Sequence, residues 1–377
     1  MRVLYFCNEY PPSITGGIGV FTREMAEELV KAGHSVFIYG QYNIDKAYYE
    51  TINDVHIYRD KRYSGRLGFI LNRVRSYIKI RAILNKYSID ILEVQDFHGL
   101  MGFFPRLNCK VIVRLHGSVI YFKTLLNKIS FKDRVWFYFE KSNLNKADLI
   151  LSVSDFTAKL TKSIFGLSKS VLTVHNGVKV TESYCEHYPS KSLQYIFAGS
   201  VIEKKGIVEL ISAWSIFSKN KDVILHVYGK DIEGLTERLK LHMENLHINN
   251  VFFHGAVHKD VLLLAIKDAD FCVFPTKAEA FSLAPMEAMS MSKVVLYTDQ
   301  TSASELVIHR SNGLLINECS EMSILESLEE SFSLTGEEYK KISKNAYCTI
   351  VNNFNVEDKV IENIRIYQEL LNQSDVK

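Results

Sequence analysis

An excess of charge of either sign is nearly absent from this chain: 45 Lys and Arg stand against 43 Asp and Glu, leaving +2 over 377 residues. Such a balance excludes a general nucleic-acid binder held by its overall field. Paired cysteines are absent too. Cys7, Cys109, Cys185, Cys272, Cys319 and Cys348 are scattered, with no C-x-x-C and no histidine at metal spacing. They are expected to be reduced, mostly buried thiols in a cytoplasmic protein. No stretch has membrane-spanning length, and the first apolar run ends at Asn8-Glu9, too short for a secretory segment. The G-x-G-x-x-G spacing is missing, which argues against a nicotinamide or flavin enzyme.

What is present is apolar and alternating. A hydrophobic content of 47% is ample for two cores. Short apolar runs alternate with helical patterns, the mark of parallel sheets with crossover helices. In the first half the strands are expected at Arg2–Cys7, Ser35–Tyr39, Val55–Tyr58, Ile91–Gln95, Val111–Leu115, Leu149–Val153 and Val171–His175. In the second half they are expected at Gln194–Ala198, Ile224–Tyr228, Val251–His254, Phe271–Phe274 and Val294–Tyr297. The polar stretch from Thr181 to Ser192, with Pro189, reads as a hinge between two domains, residues 1–188 and 189–356. Open parallel sheets bind ligands beyond the carboxyl ends of their strands, so two facing sheets predict a cleft between them.

Two segments suit a phosphate-bearing ligand. The first strand runs into Thr15-Gly16-Gly17-Ile18-Gly19 and then a helical pattern from Val20 to Ala32. Gly16 and Gly17 let the main chain approach a phosphate or sugar at the positive end of that helix. The second segment is Glu279-Ala-Phe-Ser-Leu-Ala-Pro-Met-Glu287. Pro285 fits the first turn of a helix, which leaves the amides of Phe281, Ser282 and Leu283 around an anion-attracting end. Glu279 then lies in the loop and Glu287 about a turn into the helix. Taken alone, each segment is an ordinary strand-to-helix turn.

Together they resemble the retaining, glycogen-synthase-like glycosyltransferases of family 4, with the GT-B fold. The resemblance covers nearly the whole chain and rests on Gly16-Gly17-Ile18-Gly19, Arg114-Leu115-His116-Gly117, Ala147 to Ser154 and His175-Asn176-Gly177-Val178. In the second half it rests on Gly199 to Gly206, Tyr228-Gly229, His254-Gly255, the two-glutamate segment and Asn312 to Leu315. It implies an α/β chain of two Rossmann-like domains facing each other across a cleft, with a last helix, about 357–377, crossing back onto the first. His116 would touch the donor sugar near its C6 hydroxyl, and Glu279 would hold the sugar hydroxyls. Glu287 would hold the ribose, and Lys205 the diphosphate. The family carries Arg directly after the glycine at position 199, where this chain has Ser200. A hydroxyl cannot replace the bidentate grip of a guanidinium. The resemblance further implies transfer without a metal or resident cofactor, and a uridine rather than a guanosine diphosphate-sugar donor. Alternatives that keep the fold are a sugar-nucleotide epimerase, a phosphorylase, which needs a pyridoxal-binding lysine not found here, and a non-catalytic subunit left by the loss of the Arg.

One further signal is a basic stretch from Ile57 to Tyr87. It carries Arg59, Lys61, Arg62, Arg66, Arg73, Arg75, Lys79, Arg81 and Lys86 with apolar residues interleaved, and Lys123, Lys128, Lys132 and Arg134 extend it. It predicts either a docked helix with a solvated basic face or a surface lying on an anionic membrane, on the inner face, with a saccharide or lipid-linked acceptor.

Overall fold

The computed structural model describes residues 1–12, 16–181 and 183–373, with Arg66 by its backbone alone. Thr15 of the glycine loop, the Arg66 side chain, Glu182 of the predicted hinge and residues 374–377 of the last predicted helix therefore lie outside the described residues. The chain divides into two compact units, Met1–Asn176 with the chain from Val356 onward, and Gly177–Asn355. The division precedes the polar stretch Thr181–Ser192, whose His187 ring and Ser190 amide bond Asp270 inside the second unit at 2.9 and 3.0 Å.

In the first unit the strands are β1 (Arg2–Phe6), β2 (Ser35–Tyr42), β3 (Tyr48–Ile52), β4 (Val55–Lys61), β5 (Ile91–Gln95), β6 (Lys110–Leu115), β7 (Leu149–Ser152) and β8 (Val171–Thr173). They form one sheet in the order β3-β4-β2-β1-β5-β6-β7-β8, parallel except for β3, which runs antiparallel to β4. Side chains alternate between its faces. Val3, Tyr5 and Ile38 enter one core with Met25 and Leu29 of the helix Gly17–Lys31 and Tyr367 of the helix Val356–Asn372. Leu4, Phe6 and Phe37 enter the other with Ile80 and Leu84 of the helix Gly65–Tyr87. Each such side chain stabilises the fold by about 1.5–3 kcal/mol when fully buried. A central strand covered on both faces reads as a continuous apolar run, which is why β1 was legible.

The second unit has β9 (Leu193–Ala198), β10 (Val223–Tyr228), β11 (Val251–Gly255), β12 (Phe271–Phe274), β13 (Val294–Thr298) and β14 (Leu314–Ile316). All are parallel, in the order β11-β10-β9-β12-β13-β14. Trp214, Phe197 and Val227 sit in its core.

The basic stretch divides: Arg62, Lys79, Arg81 and Lys86 are exposed, and others turn inward. Arg59 is buried, paired with Glu50 and donating to the carbonyls of Tyr10 and Pro11. Arg73 turns inward to the carbonyls of His98, Gly99 and Leu100, and Arg75 grips Asp60 with two bonds of 2.7 and 2.8 Å. The helix Gly65–Tyr87 exposes an apolar stripe of Leu67, Ile70, Leu71, Val74 and Ile78, with Leu67 at 84%, beside its exposed Lys79, Arg81 and Lys86. Nearby, Phe69 packs edge-on against Trp136 and Phe139 of the helix Arg134–Lys146, and Phe131, just before that helix, is 80% exposed.

Candidate functional site

In the second unit, β9 ends at Ala198 and the chain turns through Gly199 and Ser200 into a single 3-10 turn, Glu203–Lys205. Gly206 closes that turn at φ +72°, and a Cβ there would strike the carbonyl of Pro275 just beyond β12. Glycine is thus needed twice, for a left-handed backbone and for close approach. The turn is pinned to the loop after β12, where Thr276 Oγ1 and the Lys277 amide donate to the carbonyl of Lys204 at 3.2 and 2.9 Å. This places Lys205 in an ion pair with Glu279 Oε2. Burial alone pushes the Glu279 carboxyl up, but Lys205, Lys204 and the Ala280 amide outweigh it and hold the group below the ordinary carboxylate range. Glu279 is therefore an anion fixed in place, with its charge compensated.

The helix after that loop is Leu283–Ser290, with Ser282 as its extended N-cap making no side-chain cap bond. Pro285 lies in its first turn, and Phe281 is buried while Ser282 and Leu283 are half-buried. An uncapped helix start that also contains a proline leaves amide dipoles for an anion. Glu287, on the second turn, meets Lys259 of the helix Lys259–Asp268 at 2.8 Å. Lys205, Ser200, Glu279, the 281–283 amides and Glu287 are thus carried by two neighbouring strand-to-helix connections, those after β9 and β12, which pair in the sheet.

In the first unit, His116 follows β6 and its amide donates to Asp96 Oδ1 at 2.9 Å. Its ring lies edge-on to Phe21 at 4.9 Å, and Phe21 belongs to the helix that starts at Gly17. His116 and the glycine-loop helix are thereby brought together. Burial and the Arg114 charge push the imidazole down to about 3, so it stays neutral. Arg114 itself is structural, bound to Glu93 at 2.6 Å and to Asn363 at 2.6 Å.

Several residues here were not singled out from sequence. Glu9 sits at the glycine loop: its carboxylate accepts from the Gly16 amide, and Cβ atoms at Gly16 or Gly19 would run into it. Close approach at those glycines is thus to Glu9, while Gly17 has open space. Asp96 and Glu140 form a buried acid pair, pushed up by burial to about 8 and about 7. Lys259 carried no motif at all. The chain also contains one Asp-x-Asp, Asp268-Ala269-Asp270, a pattern often associated with metal-dependent sugar transfer. Asp270 is buried and accepts from the Gln194 and Ser190 amides at 2.7 and 3.0 Å, which is a structural use.

Comparison with known proteins identifies the family and the fold. A model of Glycosyltransferase Family 4 matches residues 15–182, and one of Glycosyl transferases group 1 matches residues 186–349. An uncharacterised glycosyltransferase of Methanocaldococcus jannaschii is 24% identical over 98% of both chains. The alpha-monoglucosyldiacylglycerol synthase of Streptococcus pneumoniae is 22% identical over 84% of this chain and 75% of its own. Among solved structures, sucrose-phosphate synthase from Thermosynechococcus elongatus superposes with a TM-score of 0.83 at 17% identity, covering 99% of both chains. HepE of Anabaena, solved in complex with UDP and glucose, gives 0.76 at 15% identity over 98% of this chain and 100% of its own. With the two models together spanning residues 15–349 and the GT-B fold shared with these structures, the chain belongs to the GT-B glycosyltransferases of family 4 and group 1.

Proposed function

We propose that this glycosyltransferase works with retention, without a metal ion, and moves a sugar from a uridine-diphosphate sugar to a saccharide or lipid-linked saccharide in cell-surface polysaccharide or glycolipid assembly. The observation that carries the reading is the meeting of Lys205 and Glu279, 74 residues apart in sequence, beside an uncapped helix start with Glu287 a turn further on. During transfer, positive charge develops on the sugar ring and negative charge on the departing diphosphate. Preorganised cations and amide dipoles around that phosphate lower the barrier. Lys205 and the 281–283 amides supply them, Glu279 accepts from sugar hydroxyls, and Glu287 accepts from the ribose diol. The bond from the anomeric carbon to phosphate oxygen breaks as the bond to the acceptor oxygen forms on the same face. The acceptor's proton passes to the leaving phosphate, so no protein nucleophile is required. His116, kept neutral, offers a ring nitrogen to a sugar hydroxyl.

The choice of UDP follows the bound nucleotide of HepE. A membrane-seated acceptor is supported by the apolar stripe Leu67 to Ile78 and by Phe131 and Val135, with Lys128 and Lys132 at hand to meet anionic headgroups. No helix among the described residues is long and apolar enough to cross a membrane, so such a seat would be peripheral.

Nucleotide release from a panel of UDP- and GDP-sugars, with and without an acceptor extract, tests the reading. Acceptor-stimulated UDP release is expected, with the product's anomeric configuration matching the donor's by NMR. Glu279→Gln should abolish turnover yet still bind UDP. Inverted product would remove the retaining mechanism, and UDP binding without release from any donor would leave a binding subunit.

A further inference from the structure

A cavity of about 300 Å³ opens in the first unit between the β3–β4 hairpin and the C-terminal half of the helix Gly65–Tyr87. None of the residues assigned above to donor or sugar lines it. Its walls are the rings of Tyr48, Tyr49, Tyr58 and Tyr87, and its rim carries Lys79 and Lys86. The hairpin that forms the outer wall closes through Asn53 and Asp54, both left-handed at φ 49° and 60°, so its rings are held on a short, fixed ladder.

The charges that line the cavity do not cancel. Arg59 is taken by Glu50, and Asp60 by Arg75, with Tyr39 also donating to the Asp60 carboxylate at 3.2 Å. These two pairs are internally neutral. Lys79 and Lys86 are exposed and have no carboxylate partner among the described residues; the Lys86 ammonium lies 4.7 Å from the Tyr87 ring centre and hydrogen-bonds the Tyr87 hydroxyl. A surplus of two positive charges therefore stands over an aromatic wall. The Tyr49 hydroxyl is taken by Thr51 and His56, but the Tyr58–Tyr87 pair has capacity to spare. Tyr58 and Tyr87 share one hydrogen bond of 2.6 Å, so whichever oxygen accepts keeps its own hydrogen to donate elsewhere.

Rigid tyrosine faces present apolar area beside hydroxyls that bond polar groups, which suits a pyranose ring with its C–H faces and equatorial hydroxyls. Exposed ammonium groups with no acid of their own suit an anion. We propose that this cavity is a second carbohydrate site, separate from the nucleotide-sugar residues, for one saccharide unit bearing a carboxylate or phosphate. It would hold an acidic unit of a growing or acceptor glycan, and it does not depend on the donor assignment.

Ligand-observed NMR titrations of the full chain with glucuronic acid, glucose 6-phosphate, methyl glucoside and inorganic phosphate test this. One or both acidic sugars should bind saturably, with a Kd in the range of about 0.1–10 mM. Lys79→Ala with Lys86→Ala should weaken the acidic sugar at least about fivefold and leave the methyl glucoside signal unchanged. Tyr49→Ala, which removes a wall and no charge, should weaken both sugars, and circular dichroism verifies that each variant is folded. Because the active site could also take a free sugar, Glu279→Ala serves as the control and should not change the affinity. The proposal is overturned if neither acidic sugar saturates, if the lysine substitutions have no effect, if binding follows Glu279, or if inorganic phosphate binds as well as glucose 6-phosphate. Preference for glucuronic acid or for the sugar phosphate tells a uronic-acid unit from a phosphorylated one.

Discussion

Lys259 and Glu287 face each other across 2.8 Å, an ion pair between the helices that follow β11 and the two-glutamate loop. Glu287 is only slightly exposed, so the ammonium fixes the rotamer of a carboxylate whose second oxygen can still accept from a diol. Glu287→Ala should therefore weaken UDP binding by about 10–100-fold, the range of one lost charge-assisted hydrogen bond. Lys259→Met, which loosens the carboxylate without removing it, should cost less. Calorimetry with free UDP checks both, and unchanged affinity in Glu287→Ala would take that residue out of the site.

Lys205 and Glu279 divide differently. If Glu279 addresses the transferred sugar as proposed, Glu279→Ala should depress turnover far more than UDP affinity, whereas Lys205→Ala should depress both. Lys205→Ala also removes the ion-pair partner of a half-buried carboxylate and leaves Lys204 and the Ala280 amide to hold it, so it should lower stability by about 1 kcal/mol. The native Glu279 pKa lies below its unfolded value. Its stabilising contribution is thus present above the unfolded carboxylate range and is lost as pH falls through the native value. The gap between wild type and Lys205→Ala in urea melts should narrow on acidification. A gap that widens instead would contradict the charge pairing.

Much of the second unit's site was legible because its residues sit in one contiguous segment and one glycine-punctuated turn. Lys259 was not legible, since its partner is a helix neighbour in space with no sequence spacing to announce it. β3 was missed for a similar reason: an edge strand with Tyr48, Tyr49, Glu50 and Thr51 half-exposed or exposed shows no clean alternation, although the Asn53-Asp54 turn ahead of Val55 was a usable signal. The basic stretch was legible only in part, because composition does not say which way a side chain points. Arg59 and Arg73 satisfy buried carbonyls, while Lys79, Arg81 and Lys86 stay exposed beside the apolar stripe.

Asp96 gives the first unit a pH dependence of the opposite sign. Its native carboxyl is pushed up to about 8, chiefly by burial, with Glu140 adding to the shift. Between an unfolded value near ~4 and the native value the folded state binds more protons, so stability falls as pH rises through that window. Glu140, at about 7, acts in the same direction. Asp96→Asn keeps an oxygen for the His116 amide and removes one titration. Relative to wild type it should gain more than about 1 kcal/mol between pH 5 and pH 9. Thermal melts across that range check it, and a constant gap would show that Asp96 does not titrate there.

The exposed stripe on the helix Gly65–Tyr87 predicts vesicle binding. Ile70→Ser with Val74→Ser should lower partitioning onto phosphatidylglycerol vesicles by about tenfold, the loss of roughly 1.5 kcal/mol or more of buried apolar area. Sedimentation with neutral and anionic vesicles measures it. Equal partitioning of wild type and variant would take the stripe out of any membrane contact.

Ser200 offers a test of the proposed phosphate pocket. It is half-buried, its carbonyl accepts from the Ile202 amide at 3.0 Å, and Lys204 and Lys205 follow in the same connection. Lys204 is half-buried, its charge acts on Glu279, and burial lowers its pKa. If the pocket merely lacks the family guanidinium, Ser200→Arg should tighten UDP-sugar binding by about 10-fold or more through a bidentate phosphate contact. If Lys204 already holds that phosphate, the added charge crowds it and binding should weaken. Lys204→Ala completes the test: with Lys204 in the role, it alone should reduce donor affinity and Ser200→Arg should then restore it. Calorimetry on the two single variants and the double variant reads both signs. Affinities that stay equal across all four proteins would place the diphosphate away from this turn.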